Sequence, residues 1–443
     1  MKVIKAFYLT SNFFIYIWGI VFFFILGYFL KEIFFLAQTA FYLFLILTLI
    51  DAVILFREKK GMFALRETPI RLSNGDDNEI KIYLENFFKY KVNVKIIDEI
   101  PFQFQVRNFQ YTSVLLPGEN KIISYNLKPV KRGEYNFGNI NLFVSSPLKL
   151  VLKKFQFSGD KSIPVYPSYI QMQKYELFAI SNRLSDVGIK RIRRIGHSTE
   201  FEQIKEYVIG DDYRTINWKA TARKNELMVN NYQDEKSQQV YNVIDMGRTM
   251  KMPFNGMSLL DYAINTSLVI SNVALHKDDK AGVVTFSNKI GNILPAENRS
   301  IQMHKILELL YKQTTDFLES DFESLCSILL SKITHRSLIL LYTNFETIDA
   351  LKRQLHFLRR LAVNHLVVII FFENTELKSL LEKEPESTEE IYVKTIGEKF
   401  TFEKRQVVKE LNRYKIHSIL TPPEKLSVNT INKYLELKAR SLI

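Results

Sequence analysis

The chain opens on two apolar runs. No charged residue occurs between Lys5 and Lys31, an interval of 25 residues dominated by Phe, Ile, Leu and Val. That interval exceeds the ~20 residues a helix needs to cross a hydrocarbon layer. A second uncharged run, Ile33 to Ile50, is followed by Asp51 and then by Ala52-Val-Ile-Leu-Phe56. Only Lys31 and Glu32 separate the runs, so residues 1–60 read as a transmembrane helical hairpin with spans at about 9–30 and 33–56. A cleaved signal peptide is the alternative. Against it, the apolar region is long, no small-residue cleavage site follows, and a second span comes at once.

Beyond the hairpin the period changes to two. Apolar residues alternate in Ile80-Lys-Ile-Tyr-Leu84, Val92-Asn-Val-Lys-Ile96 and Phe102-Gln-Phe-Gln-Val106, and turn signals stand at Asn74-Gly-Asp-Asp-Asn78, Pro117-Gly-Glu-Asn120 and Lys131-Arg-Gly133. Short strands at this spacing predict an antiparallel β-sandwich over residues 61–160. Residues 161–238 form a connecting region of weak periodicity. From 239 to 443 apolar strands alternate with amphipathic helices. The strands are Val240–Asp245, Ala281–Phe286, Ser337–Tyr342 and His365–Phe372, with a short one near Ile416 to Leu420. Helices are expected at Leu259–Leu275, Ile301–Tyr311, Phe322–Ile333 and Ile348–Leu361, with a further long helical region and a final helix to Arg440. This pattern is that of a doubly wound, mostly parallel α/β sheet. The fold class is therefore multi-domain: hairpin, β-sandwich, then α/β domain. Ligands meet such sheets at the carboxyl ends of the strands, which here carry Asp245, Thr343-Asn344 and Glu373.

Charge sets the expected orientation. Lys2 and Lys5 precede the first span, Arg57, Lys59 and Lys60 follow the second, and the turn between them holds one Lys offset by one Glu. The positive-inside rule then puts both ends, and the body that follows, in the cytoplasm. The net charge of +13 suggests a negatively charged neighbour, and beside a membrane anchor anionic lipid comes ahead of nucleic acid. The basic cluster Lys190-Arg-Ile-Arg-Arg194 is either a solvated loop or a contact for anionic lipid or an acidic partner. It lacks the interleaved aromatics of a nucleic-acid site. The single cysteine, Cys326, rules out an internal disulfide and a thiolate metal site, and in its apolar helical stretch it reads as a buried structural thiol.

Several chemistries have no motif. The chain contains no Gly-x-x-x-x-Gly-Lys-Ser/Thr phosphate loop, no Gly-x-Gly-x-x-Gly after a strand, no His-Glu-x-x-His among its seven histidines and no Gly-x-Ser-x-Gly elbow. These absences count against ATP hydrolysis, dinucleotide binding and the common hydrolases, and no cofactor is expected.

The densest signal is Gly210-Asp-Asp-Tyr-Arg-Thr-Ile-Asn-Trp-Lys-Ala-Thr-Ala-Arg223, continuing to Leu227-Met-Val-Asn-Asn-Tyr-Gln-Asp-Glu235. Gly210 permits a turn, and Asp211 or Asp212 would cap a helix over Tyr213 to Arg223. On that helix Ile216 and Ala220 share a side, and Trp218 would anchor it against the sheet. Arg214, Lys219 and Arg223 would form a basic side able to pair with Asp211, Asp212 or Glu235. A docking clamp between the sandwich and the α/β domain is the plainest reading, a partner-binding surface the second and a catalytic site the third.

The segment resembles the signature of the bacterial family catalogued as domain of unknown function fifty-eight, in which Gly-Asp-x-x-Arg-x-Ile-Asp/Asn-Trp-Lys-x-x-Ala-Arg leads into a von Willebrand factor A-type domain. Gly210, Asp211, Arg214, Asn217, Trp218, Lys219 and Arg223 carry the match, with Asp212, Tyr232, Glu235 and Asn344 in its surroundings. Lys131-Arg-Gly-Glu-Tyr-Asn-Phe-Gly138, Ser146-Pro-Leu-Lys-Leu150 and the paired spans extend the resemblance upstream. Von Willebrand A domains that bind a divalent ion use Asp-x-Ser-x-Ser after the first strand, plus a Thr and an Asp from later loops. Here the first motif reads Asp245-x-Gly247-x-Thr249, and the late acidic position falls on Asn344. The resemblance thus implies a degenerate site in which Asp245 and Thr249 would hold Mg²⁺ weakly.

Three functions follow as expectations. The first is a non-enzymatic, membrane-anchored adaptor recruiting a cytoplasmic protein. The resemblance implies a MoxR-type AAA+ ATPase as that partner, acting in assembly or maturation of protein complexes. The second is a Mg²⁺-dependent ligand receptor through Asp245 and Thr249, and the third a hydrolase using Asp211, Asp212 or Glu235.

Overall fold

A computed structural model describes residues 6–58, 60–107, 109–180, 199–209, 211, 213–234, 237–375, 377, 381, 385, 387–440 and 442. The basic cluster at 190–194 and the motif positions Gly210, Asp212 and Glu235 lie outside these residues. The chain divides into two units, Met1–Tyr166 and Pro167–Ile443.

In the first unit the two apolar runs form helices Ser11–Phe29 and Lys31–Arg57, with Leu30 alone between them. By length and composition both are able to cross a membrane, and few of their side chains are buried. A one-residue connection forces a close approach. A Cβ at Gly27 would sit 2.7 Å from the Phe34 Cα, so only glycine fits there. The first span begins later than about residue 9, because Phe7–Leu9 is a strand paired antiparallel with Val151–Phe157.

The sandwich that follows is built from a five-stranded sheet and two three-stranded sheets. The alternation read at Ile80–Leu84 and Val92–Ile96 lies in strands Asn78–Asn86 and Val92–Asp98, whose buried positions alternate as expected. Ile80, Ile82, Leu84, Val92, Val94 and Ile96 share one core with Leu142, Val144, Ile163 and Val165. Each such side chain contributes about 1.5–3 kcal/mol by leaving water. Three details differ from expectation. Phe102–Phe104 is a single 3₁₀ turn entered from Pro101 and left through Gln105 at φ 54°, not a strand, because proline and a left-handed residue bracket too short a stretch. Strand Lys161–Tyr166 belongs to the sandwich, and it pairs parallel with Leu72–Ser73 while pairing antiparallel with Gly133–Phe137. The sandwich is therefore not purely antiparallel.

The two helices are fastened to the sandwich at one loop. Thr10 caps the first helix by accepting from the Phe13 amide, and its hydroxyl donates to the carbonyls of Lys149 and Leu150. Asp51, near the end of the second helix, is fully buried. Its carboxylate accepts from the amides of Leu148, Leu150 and Val151 at 3.4, 3.1 and 3.3 Å, and from the Ser146 hydroxyl. Lys153 then donates to the carbonyls of Leu55 and Glu58, closing the helix end. The Ser146-Pro-Leu-Lys-Leu150 stretch is the polar seat of an otherwise apolar hairpin.

The second unit centres on a six-stranded sheet. Its order is Ile290–Glu297, Lys280–Phe286, Gln239–Asp245, Leu338–Tyr342, Leu366–Phe372, His417–Thr421. Five strands run parallel, and the edge strand Ile290–Glu297 is antiparallel to its neighbour. The central strands are apolar on both sides because helices cover both faces. Tyr241 and Val243 pack in a core with the helices Phe322–Lys332, Ile348–Asn364 and Thr388–Arg413. Between them Asn242 turns the other way and donates to Ser271 on helix Leu259–His276 at 3.0 Å. That helix is buried along nearly its whole length. Cys326 is buried on helix Phe322–Lys332, its thiol donating to the Phe357 carbonyl at 3.6 Å. Burial pushes that thiol's pKa up, the behaviour of a structural cysteine.

Candidate functional site

The strand order reverses at the pair Gln239–Asp245 and Leu338–Tyr342, and doubly wound sheets open a crevice at such a point. Asp245 ends the first of these strands and is 1% exposed. Its Oδ1 accepts from the Gly247 amide at 2.8 Å and from the Ser320 hydroxyl; its Oδ2 accepts from the Thr343 hydroxyl at 2.7 Å. Burial pushes the Asp245 pKa up, and these three donors oppose the shift.

Ser320 reaches this point on a segment held by backbone and side chain. The Arg248 amide donates to the Leu318 carbonyl and the Thr315 hydroxyl to the Met246 carbonyl. A Cβ added at Gly247 would lie 1.9 Å from the Ser320 Oγ. The hydroxyl absent from position 247 is thus supplied by Ser320, which occupies the volume a side chain there would need. Thr249 sits half-buried on the short turn Arg248–Met250. Thr285 bonds Gln313 and the Asn292 amide instead, inside the sheet. Three donors already occupy the Asp245 carboxylate, two on Oδ1 and one on Oδ2. Among the described residues no group of three His, Cys, Asp or Glu side chains is placed to hold a metal.

Beside Asp245 the next residues form a cavity of about 520 Å³, lined by Asn344, Glu346, Glu373, Phe400, Lys404 and Leu420 among others. Lys404, from the long helix Thr388–Arg413, donates to the Asn344 Oδ1 at 3.2 Å and to the Phe372 carbonyl. Burial pushes its pKa down to about 8, while Glu346 and Glu373 act in the opposite direction. Asn344 is 2% exposed, yet its Nδ2 has no acceptor. A buried donor left unpaired costs about 1–3 kcal/mol.

The motif segment is a separate feature. Strands Thr199–Glu206 and Met228–Asp234 form a two-stranded antiparallel ribbon, with Tyr232 opposite Phe201. The helix between them is shorter than expected, Trp218–Lys224, and its cap is Asn217, which accepts from the Ala220 amide at 3.0 Å. Asp211 does not cap it. Its carboxylate accepts from Lys205 at 3.0 Å and from the Val208 amide, and these bonds hold its pKa below the usual carboxylate range. Ile216 lies before the helix, bridged to Val229. Trp218 does not anchor the helix: it is 70% exposed, with Tyr213 at 68% and Ile209 at 96%. Lys219 and Arg223 are exposed as well, and the Arg214 guanidinium lies over the Tyr213 ring at 5.7 Å. The local reason is the αL residue Asn225 (φ 58°), which ends the helix after two turns and leaves its outer side uncovered.

Residues 203–406 match the family described as "Protein of unknown function DUF58". That match falls within the second unit, where the chain is similar to DUF58 proteins. A relative, "Uncharacterized protein YeaD" of Bacillus subtilis (strain 168), is 27% identical over 125 residues, which are 28% of this chain and 30% of that one. The chain therefore spans under a third of that relative. Among solved structures, proximal thread matrix protein 1 from the mussel byssus covers 46% of this chain and 47% of its own at 10% identity, with a TM-score of 0.26. The CARDB domain of PF1109 from Pyrococcus furiosus covers 22% of this chain and 93% of its own at 16% identity, with a TM-score of 0.16. Neither adds to the description of the fold.

The DUF58 stretch contains the ribbon, Asp245, Ser320, Thr343, Asn344 and Lys404; the apolar helices and the sandwich precede it. Asp245, Thr343, Asn344 and Glu373 were visible as strand ends. Ser320 and Lys404 carried no local signal, one lying in an irregular loop and the other being one lysine among many on a charged helix.

Proposed function

We propose that the protein is a non-enzymatic, membrane-anchored adaptor whose DUF58 domain recruits a cytoplasmic protein. The observation carrying this reading is the exposed apolar and basic surface of the motif segment: Ile209, Tyr213 and Trp218 stand in solvent beside Lys219 and Arg223. Exposed aromatic residues rimmed by charge are the composition of interface centres. The two apolar helices act as a hairpin in the inner membrane, and the flanking Lys and Arg place both outer ends in the cytoplasm. We read the α/β domain as von Willebrand factor A-like; its six-stranded, mostly parallel sheet supports that reading. The family resemblance supplies a MoxR-type AAA+ ATPase as the expected partner, with the ATPase providing the energy this chain has no motif to harvest. Cytoplasmic protein assembly is the process such a pair would serve.

The test is affinity capture of the full chain from native membranes, with nucleotide present, alongside Trp218→Ala and Ile209→Ser variants. Recovery of an AAA+ ATPase with the wild type and its loss with the variants is expected. Equal recovery by all three, or none by the wild type, overturns the reading.

A further inference from the structure

The strand-end cavity carries an inference that goes beyond recruitment and uses none of the ribbon residues. Its chemistry is defined by which groups remain unsatisfied. A lysine only donates, so the Asn344 atom 3.2 Å from Lys404 is its oxygen, and the buried Nδ2 is left facing no acceptor. Lys404 commits two of its three N–H groups to Asn344 and to the Phe372 carbonyl, leaving one to give. The free N–H of Lys404 therefore calls for an oxygen acceptor. Glu346 and Glu373 also line it, close enough for their field to act on Lys404. On that side a cation is wanted. Met252, Phe400 and Leu420 supply apolar wall.

A simple anion would be repelled by the two glutamates, and a simple cation would meet Lys404. A purely apolar ligand would desolvate all three charged groups without replacing their bonds. A molecule carrying both charges around an apolar side chain answers each wall. The volume, about 520 Å³, lies within the ordinary range of small-molecule sites. It exceeds the need of a single amino acid. We infer that the cavity binds a small zwitterion of the dipeptide class with an apolar side chain. Its carboxylate lies against Lys404, its ammonium beside Glu346 and Glu373, and its side chain on Phe400 and Leu420.

Titration calorimetry of the detergent-solubilised full chain with leucyl-phenylalanine tests this directly. Saturable binding at up to millimolar ligand is expected, with diglycine, the N-acetyl form and the C-terminal amide each weaker by about tenfold or more. Lys404→Met and Glu373→Gln should each weaken binding comparably while leaving partner capture through the ribbon unchanged. Glu373 is half-buried, so its variant keeps the test sound if Lys404→Met disturbs folding. Absence of saturation, equal binding of the blocked dipeptides, or wild-type binding by a folded Glu373→Gln protein would each overturn the assignment. Failure of recruitment with binding retained would sink only the adaptor reading.

Discussion

Asp51 in the first unit and Asp245 in the second are both buried and accept from neutral donors, and the two are seated in different ways. Asp51 is held by three backbone amides and one serine of a single loop, Ser146 to Val151. Asp245 is held by one amide and two hydroxyls, brought from segments 75 and 98 residues away. Two other buried carboxylates take cations: Asp98 pairs with Arg66, and Asp279 with Lys438 at 2.7 Å. An amide can only donate, whereas a hydroxyl rotates to donate or accept. The first seat therefore demands a carboxylate, and the second tolerates a change of partner. A fixed joint suits the place where apolar helices meet a sandwich, and an adaptable one suits a strand end beside a cavity.

The largest effect should follow loss of the amide-held carboxylate. Asp51→Ala leaves two buried N–H groups and one half-buried N–H group unpaired and should cost about 3–5 kcal/mol. It is read as faster hydrogen exchange at the Leu150 and Val151 amides, with exchange in the α/β unit unchanged. If those amides stay protected, the joint is not held by Asp51.

Gly247→Ser is the next test. The backbone at 247 (φ −78°, ψ −178°) admits any residue, so the clash with Ser320 alone decides the outcome. A loss of about 1–3 kcal/mol is expected from denaturant unfolding of the α/β unit. Adding Ser320→Gly should recover most of it, since the double variant returns the hydroxyl to position 247. Additive losses would show that Ser320 does not occupy that place.

The amide substitutions sharpen the contrast more finely. Asp245→Asn should cost under about 1 kcal/mol, because the Thr343 hydroxyl can turn to accept the new N–H, while Asp51→Asn should cost about 1–2 kcal/mol because a backbone amide cannot. Similar losses from paired melting measurements would remove the distinction.

The smallest expected difference is in acid sensitivity. All seven histidines lie beyond Tyr166. Burial holds the pKa of His365 and His417 below the usual 6.5, and Lys433 lowers His417 further. The unfolded chain takes up those protons first, so their contribution is complete above 6.5 and is lost as pH falls through the window beneath it. Melting between pH 7 and pH 5 should destabilise the α/β unit more than the sandwich, and His365→Phe should lessen that slope. A sandwich that weakens as steeply would refute this account.

Much of the architecture could be read without coordinates. The apolar runs, the period-two alternation at Ile80–Leu84 and the buried strands from Val240 to Phe372 are repeated local patterns, and each states its own geometry. The antiparallel edge strand Ile290–Glu297 was not legible, since half-exposed residues broken by Gly291 and Pro295 show no clean period. At the motif the residue types were right and their placement was not. Trp218 looked like a core anchor because tryptophan usually is one, but a helix of seven residues had nothing above it to pack on.

Sequence alone determined the two apolar helices, the order of sandwich and α/β domain, the DUF58 signature and the strand-end position of Asp245, since each is written in neighbouring residues. Only the tertiary structure decided that Ser320 bonds Asp245 and fills the volume a side chain at 247 would need, that Asn344 is left with an unanswered donor beside Lys404, and that Asp51 is seated by a loop nearly a hundred residues away. Those facts depend on which distant groups exhaust one another's hydrogen-bonding capacity, and no local pattern encodes that.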